Sequence, residues 1–463
     1  MIIDEINDLF KIFSDINKLI PELYKAPRAF EGQTSTIIVT DECNLRCTYC
    51  YCDKQPHRMV WNTAKDFIDL KFELAKDWHK IPKEQQNLLD HKKIWDFVGG
   101  EPLLEADLVF KCIDYIEKRN QKLHSNHPWR RADWPCECGC GHPSIGYRFM
   151  IGTNGLLLND PTIQRQLLKY QKQLHIGITL DGNQEMHDRC RIDTEGKGSY
   201  ERVIRAWSWV RQYFPQAVES TKSTIAHENL PFISDLIRFF YQLEPKFYLM
   251  QNCVFENVWH RGDQFILFNQ LCKVADFLIA GEKYKSFMVR WFDLQMFSKN
   301  DNTKNWCGAA EYMDSCDYTG TLYPCLRFKQ IHQRDPFPIG TVKDGIDLGR
   351  RKILKTGNPL ITDRPLTETG IDCKNCPISK LCSDCQACCY DILGRLDLKT
   401  PFLCPMHKAV AFANVYFFGK LSKYITVPDE EFRAYLEGGL EEYTKNDYFS
   451  HDKEGRFVPW IRP

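Results

Sequence analysis

TSTIIVTDECNLRCTYCY, residues 34–51, decides the fold. Residues 34–40 have the pattern of a short apolar strand, and Cys43, Cys47 and Cys50 follow at once in a C-x3-C-x2-C array. Three thiolates on one tight loop can hold three corners of a cubane iron–sulfur cluster and leave its fourth iron open. With 21 cysteines in 463 residues, chance produces this spacing about 0.04 times per chain. Moving outward, KIWDFVGG (93–100), YRFMIGTNG (147–155), HIGITLDG (175–182), ESTKSTIAH (219–227) and KFYLMQNCVF (246–255) repeat the strand pattern. Amphipathic stretches such as WNTAKDFIDLKFELAKDW (61–78) and PTIQRQLLKYQKQL (161–174) lie between them. Six strand-then-helix units in series predict an α/β fold: a partial (β/α)6 TIM-like barrel with a parallel sheet and right-handed crossovers. Such a barrel gathers its chemistry at the C-terminal ends of its strands, where the cysteine loop sits.

Beyond the barrel the organisation changes. Residues 1–33 read as an N-terminal helical segment, with Ile6, Leu9, Phe10, Phe13, Ile16 and Ile20 at helical spacing. The barrel is expected over 34–300, with an insertion at 120–146. A cysteine-rich domain follows over 301–410, and a helical tail over 411–463. Lys+Arg and Asp+Glu both number 61, so no basic excess points to a nucleic acid. Apolar runs fall short of the roughly 18 residues a membrane helix needs. The start MIIDEINDLF is acidic and lacks the basic region of a signal peptide, so the chain is expected to be cytoplasmic, with cysteines serving metals rather than disulfides.

The second strand ends in Gly99-Gly100-Glu101-Pro102. Paired glycines let a backbone approach a ligand closely, and the carboxylate can receive an ammonium group; alone, the motif is also an ordinary βα turn. Together with the cysteine array it resembles the radical S-adenosylmethionine (radical SAM) superfamily. The resemblance implies that Cys43, Cys47 and Cys50 bind a 4Fe–4S cluster whose open iron is chelated by S-adenosylmethionine. One electron from the cluster would then release a 5′-deoxyadenosyl radical that takes a substrate hydrogen. Tyr49 would lie beside the adenine, and Gly99, Gly100 and Glu101 would hold the methionyl amino group. GTNG (152–155), ITLDG (178–182) and His187-Asp188-x-x-Arg191 resemble later motifs of peptide-modifying members. There Thr179 and Asp181 would face ribose, Arg191 the methionyl carboxylate, and Asn154 a further cofactor contact. Strand-end, turn and surface roles are the structural alternatives for these residues.

The C-terminal third carries Cys307-x12-Gly320-x4-Cys325 and Cys373-x2-Cys376-x5-Cys382, then Cys385 and Cys404. This resembles the SPASM domain, which binds auxiliary 4Fe–4S clusters, giving three clusters in all. Cys373, Cys376, Cys382 and Cys404 would hold one auxiliary cluster. Cys307, Cys325 and Cys385 would hold the other, with Cys316 as its candidate fourth ligand and Cys388 and Cys389 as spares. Structural zinc is the rival for these C-x2-C pairs, and a zinc-stapled scaffold without catalysis is the non-enzyme alternative. Cys136, Cys138, Cys140 and His142 form a further candidate zinc loop. Cys52, Cys112, Cys190, Cys253 and Cys272 read as packed thiols.

NWCGAAEYMDSCDYTGTLYPCLRF (305–328), NCVFENVW (252–259) and CPMHKAVAFANVYFFG (404–419) resemble segments of maturases that act on ribosomally made precursor peptides (RiPPs) with repeated cysteine motifs. The resemblance implies a Cys-containing precursor peptide as partner and a Cys thioether crosslink as product. Carbon–carbon crosslinking or epimerisation is the alternative. Sulfatase-maturating enzymes, which oxidise Cys or Ser to formylglycine, share the architecture but place an aspartate base directly after the Gly-x4-Cys cysteine, where this chain has Leu326. A flavodoxin or ferredoxin would donate electrons. Leader recognition would fall to a separate protein or to the 120–146 insertion, since about 30 residues before the first strand are too few for a leader-binding domain.

Overall fold

A computed structural model describes residues 33–76, 93–123, 148–215, 221–256, 258–293, 308–310, 313–356, 376, 378, 382, 385–396, 400, 403–422, 428–444, 449–451 and 457–459. The expected N-terminal helical segment, nearly all of the 120–146 insertion with Cys136, Cys138, Cys140 and His142, and the cysteines at 307 and 373 lie outside the described residues.

The six strands expected from sequence are all present: β1 (Gln33–Thr40), β2 (Lys93–Gly99), β3 (Arg148–Thr153), β4 (Leu174–Ile178), β5 (Lys222–Ile225) and β6 (Phe247–Cys253). Helices follow them in turn: α1 (Trp61–Lys76), α2 (Ala106–Leu123), α3 (Pro161–Lys169), α4 (Gln184–Cys190), α5 (Tyr200–Tyr213), α6 (Ile233–Leu243) and α7 (Asp263–Ile279). β1 to β4 pair in parallel, a parallel bridge from Thr179 to Lys222 carries the arc to β5, and β5 and β6 pair in parallel. A seventh parallel strand, β7 (Phe287–Val289), extends the arc beyond the six expected. Its three residues are too few to show a period in sequence. The arc is therefore an open α/β barrel, and the C-terminal ends of all seven strands lie at one end of it.

Burial explains why these runs are strands. Ile37 and Val39 of β1, Trp95 and Phe97 of β2, and Phe149 and Ile151 of β3 are buried against Phe67 and Phe72 of α1 and Val109, Ile113 and Ile116 of α2. In β1 even Ser35, Thr36 and Thr40 are buried, as befits a central parallel strand covered on both faces. The β1–β2 register shifts between Ile38 and Thr40, a bulge that redirects the chain at the start of the cysteine loop.

After residue 300 the chain re-enters the same sheet. β8 (Met313–Cys316) pairs in parallel with the free edge of β1, and β9 (Thr321–Tyr323), β10 (Gly340–Thr341) and β11 (Gly345–Ile346) continue the sheet antiparallel. α8 (Leu326–Lys329), α9 (Leu348–Thr356) and α10 (Gln386–Leu393) follow. α11 (Cys404–Ser422) is buried on nearly every side, with Ala409, Ala411 and Ala413 allowing close packing against α7. The tail continues with α12 (Asp429–Thr444) and then a β-hairpin, β12 (Phe449–His451) with β13 (Phe457–Pro459). Among the described residues no helix is long and apolar enough to cross a membrane.

Candidate active site

The cysteine loop is pinned from three sides. The Gly100 amide donates to the Thr40 carbonyl at 3.0 Å and the Glu101 amide to the Glu42 carbonyl at 2.8 Å. From beyond β4, Ile192 and Cys190 carbonyls accept from the amides of Arg46 (2.7 Å) and Thr48 (2.9 Å). From β3, Asn154 Nδ2 donates to Asn44 Oδ1 at 2.7 Å and lies 3.7 Å from Cys43 Sγ, while the Leu45 amide points at the same sulfur at 3.4 Å. A Cβ on Gly99 would fall 2.3 Å from the Thr40 carbonyl oxygen, and one on Gly100 2.2 Å from that of Glu42. These glycines therefore seat the end of β2 against the chain's own cysteine loop. The sequence had offered them as cofactor contacts; the close approach they permit is to Thr40 and Glu42.

Glu101 is fully buried. Its carboxylate accepts from the Leu103 amide (3.1 Å), the Thr153 hydroxyl (2.8 Å) and the Asn154 amide (2.8 Å), so it ties the end of β2 to that of β3. Burial pushes its carboxyl upward while those three donors oppose the shift.

Tyr49, Asp181 and Arg191, distant in sequence, form one connected group. The Tyr49 hydroxyl donates to Asp181 Oδ2 and accepts from Arg191 Nη1 at 2.8 Å. Asp181 is fully buried, and its other oxygen accepts from the Thr224 amide at 2.8 Å. Thr179 sits at the bridge joining β4 to β5. Arg191 is 6% exposed, yet its Nε has no hydrogen-bond partner among the described residues. Sequence reading quoted His187 and Asp188 without a role, and the structure supplies one. His187 accepts from the Asp181 amide at Nδ1 (3.2 Å) and meets Ser199 Oγ at Nε2 (2.9 Å), while Ser199 Oγ donates to the Arg191 carbonyl (2.7 Å). Burial, with Arg191 nearby, lowers His187 to about 2, so it is a neutral bracket. Asp188 accepts from the amides of Ser199 and Tyr200 at the start of α5. No local sequence signal marks either role, because both partners lie about a dozen residues away.

The donor set suits an iron–sulfur cluster. Burial pushes the Cys43 thiol up to about 11 and raises Cys47, the latter opposed by Arg191. The neighbouring Cys52 thiol lowers that of Cys50. Half-dry thiols become thiolates when a cationic centre takes them. A cubane asks for one thiolate per iron, which three cysteines on one loop can give. The unpartnered Arg191 Nε beside this loop suits an anionic group such as a carboxylate.

The second cysteine-bearing segment docks on the loop that follows the triad. The Arg327 guanidinium lies 3.8 Å from the centre of the Tyr51 ring and pairs with Glu256 beyond β6. Cys385 and Cys388 are close enough to favour its charge. Lys329 pairs with Asp41 at 2.5 Å, and His332 Nε2 meets the Tyr51 carbonyl at 2.7 Å. Cys325 immediately precedes α8 and Cys385 immediately precedes α10. Cys376 Sγ lies 3.7 Å from the Tyr443 hydroxyl, Cys382 is half-buried, and Cys404 opens α11. Cys316 is placed differently: it is fully buried in β8, its thiol directed to the Asp317 carbonyl.

Residues 37–229 match the model of the radical SAM superfamily. The cysteine-type anaerobic sulfatase-maturating enzyme of Clostridium novyi (strain NT) is 25% identical over 371 residues, covering 75% of this chain and 86% of that protein. The serine-type anaerobic sulfatase-maturating enzyme of Bacteroides thetaiotaomicron is 21% identical over 342 residues, covering 65% and 74%. Among solved structures, native anSMEcpe with bound AdoMet and Cp18Cys peptide shares the fold, with a TM-score of 0.58 at 16% identity over 88% of this chain and 99% of that one. These likenesses set aside the reading of the chain as a zinc-stapled scaffold without catalysis. The family match begins inside β1 and runs through the cysteine loop, the Glu101 turn and Arg191 to the turn beyond β5, and this stretch of the enzyme is a radical SAM domain.

Proposed function

We propose that this enzyme modifies a peptide by radical chemistry and that its product is a thioether crosslink at a substrate cysteine. Cys43, Cys47 and Cys50 would hold the 4Fe–4S cluster, while Arg191 and Glu101 would hold the amino-acid end of S-adenosylmethionine. When bound, that pair supplies a one-electron reductive cleavage of the sulfonium, and the resulting radical takes a hydrogen atom from the substrate. The chain's own part is placement. Asn154 and the Leu45 amide orient Cys43. Tyr49 and Asp181 fix Arg191. The Gly99-Gly100 turn fixes the loop.

The peptide class is supported by the sulfatase-maturating relatives and by the Cys-bearing peptide named in the related solved structure. One observation carries the thioether reading. Leu326, not a carboxylate, follows Cys325, and the carboxylates this segment does meet, Glu256 and Asp41, are held by Arg327 and Lys329. A base suited to formylglycine formation is thus missing from that position. Forming a C–S bond removes a hydrogen atom from carbon, a proton from the thiol and one further electron. An auxiliary cluster of a SPASM domain, anchored by Cys325 and Cys385 beside the triad's loop, would accept that electron, and a flavodoxin or ferredoxin would supply the reducing one. Sulfatase-type maturation is the second reading, favoured by relatives that span most of this chain. Co-expression with a small Cys-containing peptide encoded beside the enzyme, followed by mass spectrometry, separates the two. A thioether retains the sulfur and loses two hydrogens, whereas conversion of cysteine to formylglycine loses the sulfur.

A further inference from the structure

Two histidines meet where the ends of β5 and β6 face the start of α7. His227 is the second residue beyond β5, and His260 lies in the segment joining β6 to α7. Their ring centres are 3.8 Å apart. Asp263, the first residue of α7, is 1% exposed, and its two carboxylate oxygens lie 3.0 and 3.1 Å from His227 Nδ1. The same carboxylate accepts from the His260 amide at 2.7 Å, which fixes its aim. Facing a carboxylate, Nδ1 is the donor, and Nε2 is left as the basic nitrogen of the His227 ring. The His227 side chain is 34% exposed, and its Nε2 has no hydrogen-bond partner among the described residues.

The pair belongs to the same end of the barrel as the triad's loop. Three residues before His227, the Thr224 amide donates to Asp181, which also meets Tyr49 and Arg191. The turn His227–Phe232 packs on α4, with the Arg189 guanidinium 4.7 Å from the centre of the Phe232 ring. Cys190, the last residue of α4, accepts at its carbonyl from the Thr48 amide of the triad's loop. A histidine held through one nitrogen by a buried carboxylate, with the other nitrogen open, is arranged to take a proton. Joining a substrate sulfur to carbon needs such a group, because the thiol must lose its proton and Leu326 puts no base directly after Cys325.

We infer that His227 Nε2 is the proton acceptor for the substrate cysteine, with Asp263 as its positioning residue. The inference rests on the reading of the substrate as a Cys-containing peptide. The S–H bond breaks, the proton passes to Nε2, and the electron pair stays on sulfur. The substrate carbon, having lost a hydrogen atom to the 5′-deoxyadenosyl radical, forms the C–S bond. The one electron left over goes to the oxidised auxiliary iron–sulfur cluster. Exposure of the ring lets it shed the proton to solvent afterwards.

The test uses reconstituted enzyme, S-adenosylmethionine and the Cys-containing peptide encoded beside the enzyme, with 5′-deoxyadenosine and peptide mass read from one reaction. Loss of a general base typically costs about a hundredfold or more. His227→Gln should therefore still make 5′-deoxyadenosine at pH 7 but little crosslink. Raising the pH toward about 8.5, where a cysteine ionises without help, should restore the product. Imidazole should restore His227→Ala, and this second variant keeps the test open if the first does not fold. Asp263→Asn should lower the yield by itself and add nothing to His227→Gln. A lost structural contact, or a lost electron acceptor, would be repaired by neither base. Wild-type crosslinking at pH 7 by folded His227→Gln, or a loss that neither high pH nor imidazole relieves, overturns the inference. Wild-type enzyme that leaves the cysteine unchanged refutes the peptide reading and the proton acceptor with it, so the two failures differ in the wild-type reaction.

Discussion

Tyr49 accepts a hydrogen bond from Arg191 at 2.8 Å, across 142 residues of sequence. The contact joins the centre of the cysteine triad to the segment beyond β4, and the same phenol donates to the buried Asp181. Tyr49 therefore does more than present an aromatic face: its hydroxyl satisfies one carboxylate oxygen and steers one guanidinium.

Tyr49→Phe keeps the ring and removes that hydroxyl. A buried acceptor left without its donor costs about 1–3 kcal/mol, so chemical denaturation should show a loss of that order. A ring that served only as a stacking surface would leave stability unchanged in the variant.

Arg191→Ala should weaken S-adenosylmethionine about ten- to a hundredfold, the range for a lost charge-assisted contact. Arg191→Lys should recover only part of the loss, because an ammonium cannot form the planar two-point contact. Calorimetric titration of both variants with cofactor and with peptide checks the assignment. Unchanged cofactor affinity with weakened peptide binding would contradict it.

Gly100→Ala should strip the first cluster without touching Cys43, Cys47 or Cys50. Its Cβ would meet the Glu42 carbonyl oxygen at 2.2 Å, a backbone atom that can give way only by shifting the loop. Fully reconstituted enzyme is expected to hold about twelve irons and the variant about four fewer. Iron analysis giving the same content in both proteins would show that the loop does not depend on this close approach.

Asp96, on the face of β2 opposite Trp95 and Phe97, carries a pH-dependent penalty. Burial holds its carboxyl up at about 6, against the opposing charge of Lys222, and its Oδ1 has no hydrogen-bond partner among the described residues. Well below pH 4 the group is protonated in both folded and unfolded chains. As pH rises toward 6 the unfolded chain ionises first, so stability falls across that window and this contribution is flat above it. Asp96→Asn should remove that part of the fall, seen as a smaller slope of unfolding free energy between pH 4 and 6. An identical slope in the variant would mean that the carboxyl titrates normally.

The strands were legible because each is an apolar run ending in a turn signal. β7 escaped notice because three residues carry no period. The cysteine motif was legible because one loop holds Cys43, Cys47 and Cys50. The rest was illegible where function depends on what the fold brings together. Glycines 99 and 100 look the same in sequence whether they approach a ligand or a backbone carbonyl. His187 and Asp188 become brackets only when Ser199 arrives from the next helix. Arg327 carries no signal in sequence, since its contacts with Tyr51 and Glu256 come from elements far back in the chain.

Cys325→Ala tests the role of the second cysteine set. Cys325 directly precedes α8, whose Arg327 and Lys329 reach the two ends of the triad's loop, at Tyr51 and Asp41. If the electron released on C–S bond formation leaves through a cluster anchored there, the variant should still cleave S-adenosylmethionine to 5′-deoxyadenosine yet make little crosslinked peptide. Misfolding is the competing outcome, since metal sites often contribute a domain's folding energy. Circular dichroism and the iron content of the first cluster distinguish it. Measuring 5′-deoxyadenosine and peptide mass in one soluble preparation gives the ratio of cofactor cleaved to product formed. That ratio should rise well above the wild-type value. Normal crosslinking by a variant shown to lack the cluster would remove the second cysteine set from the chemistry and leave it a structural role.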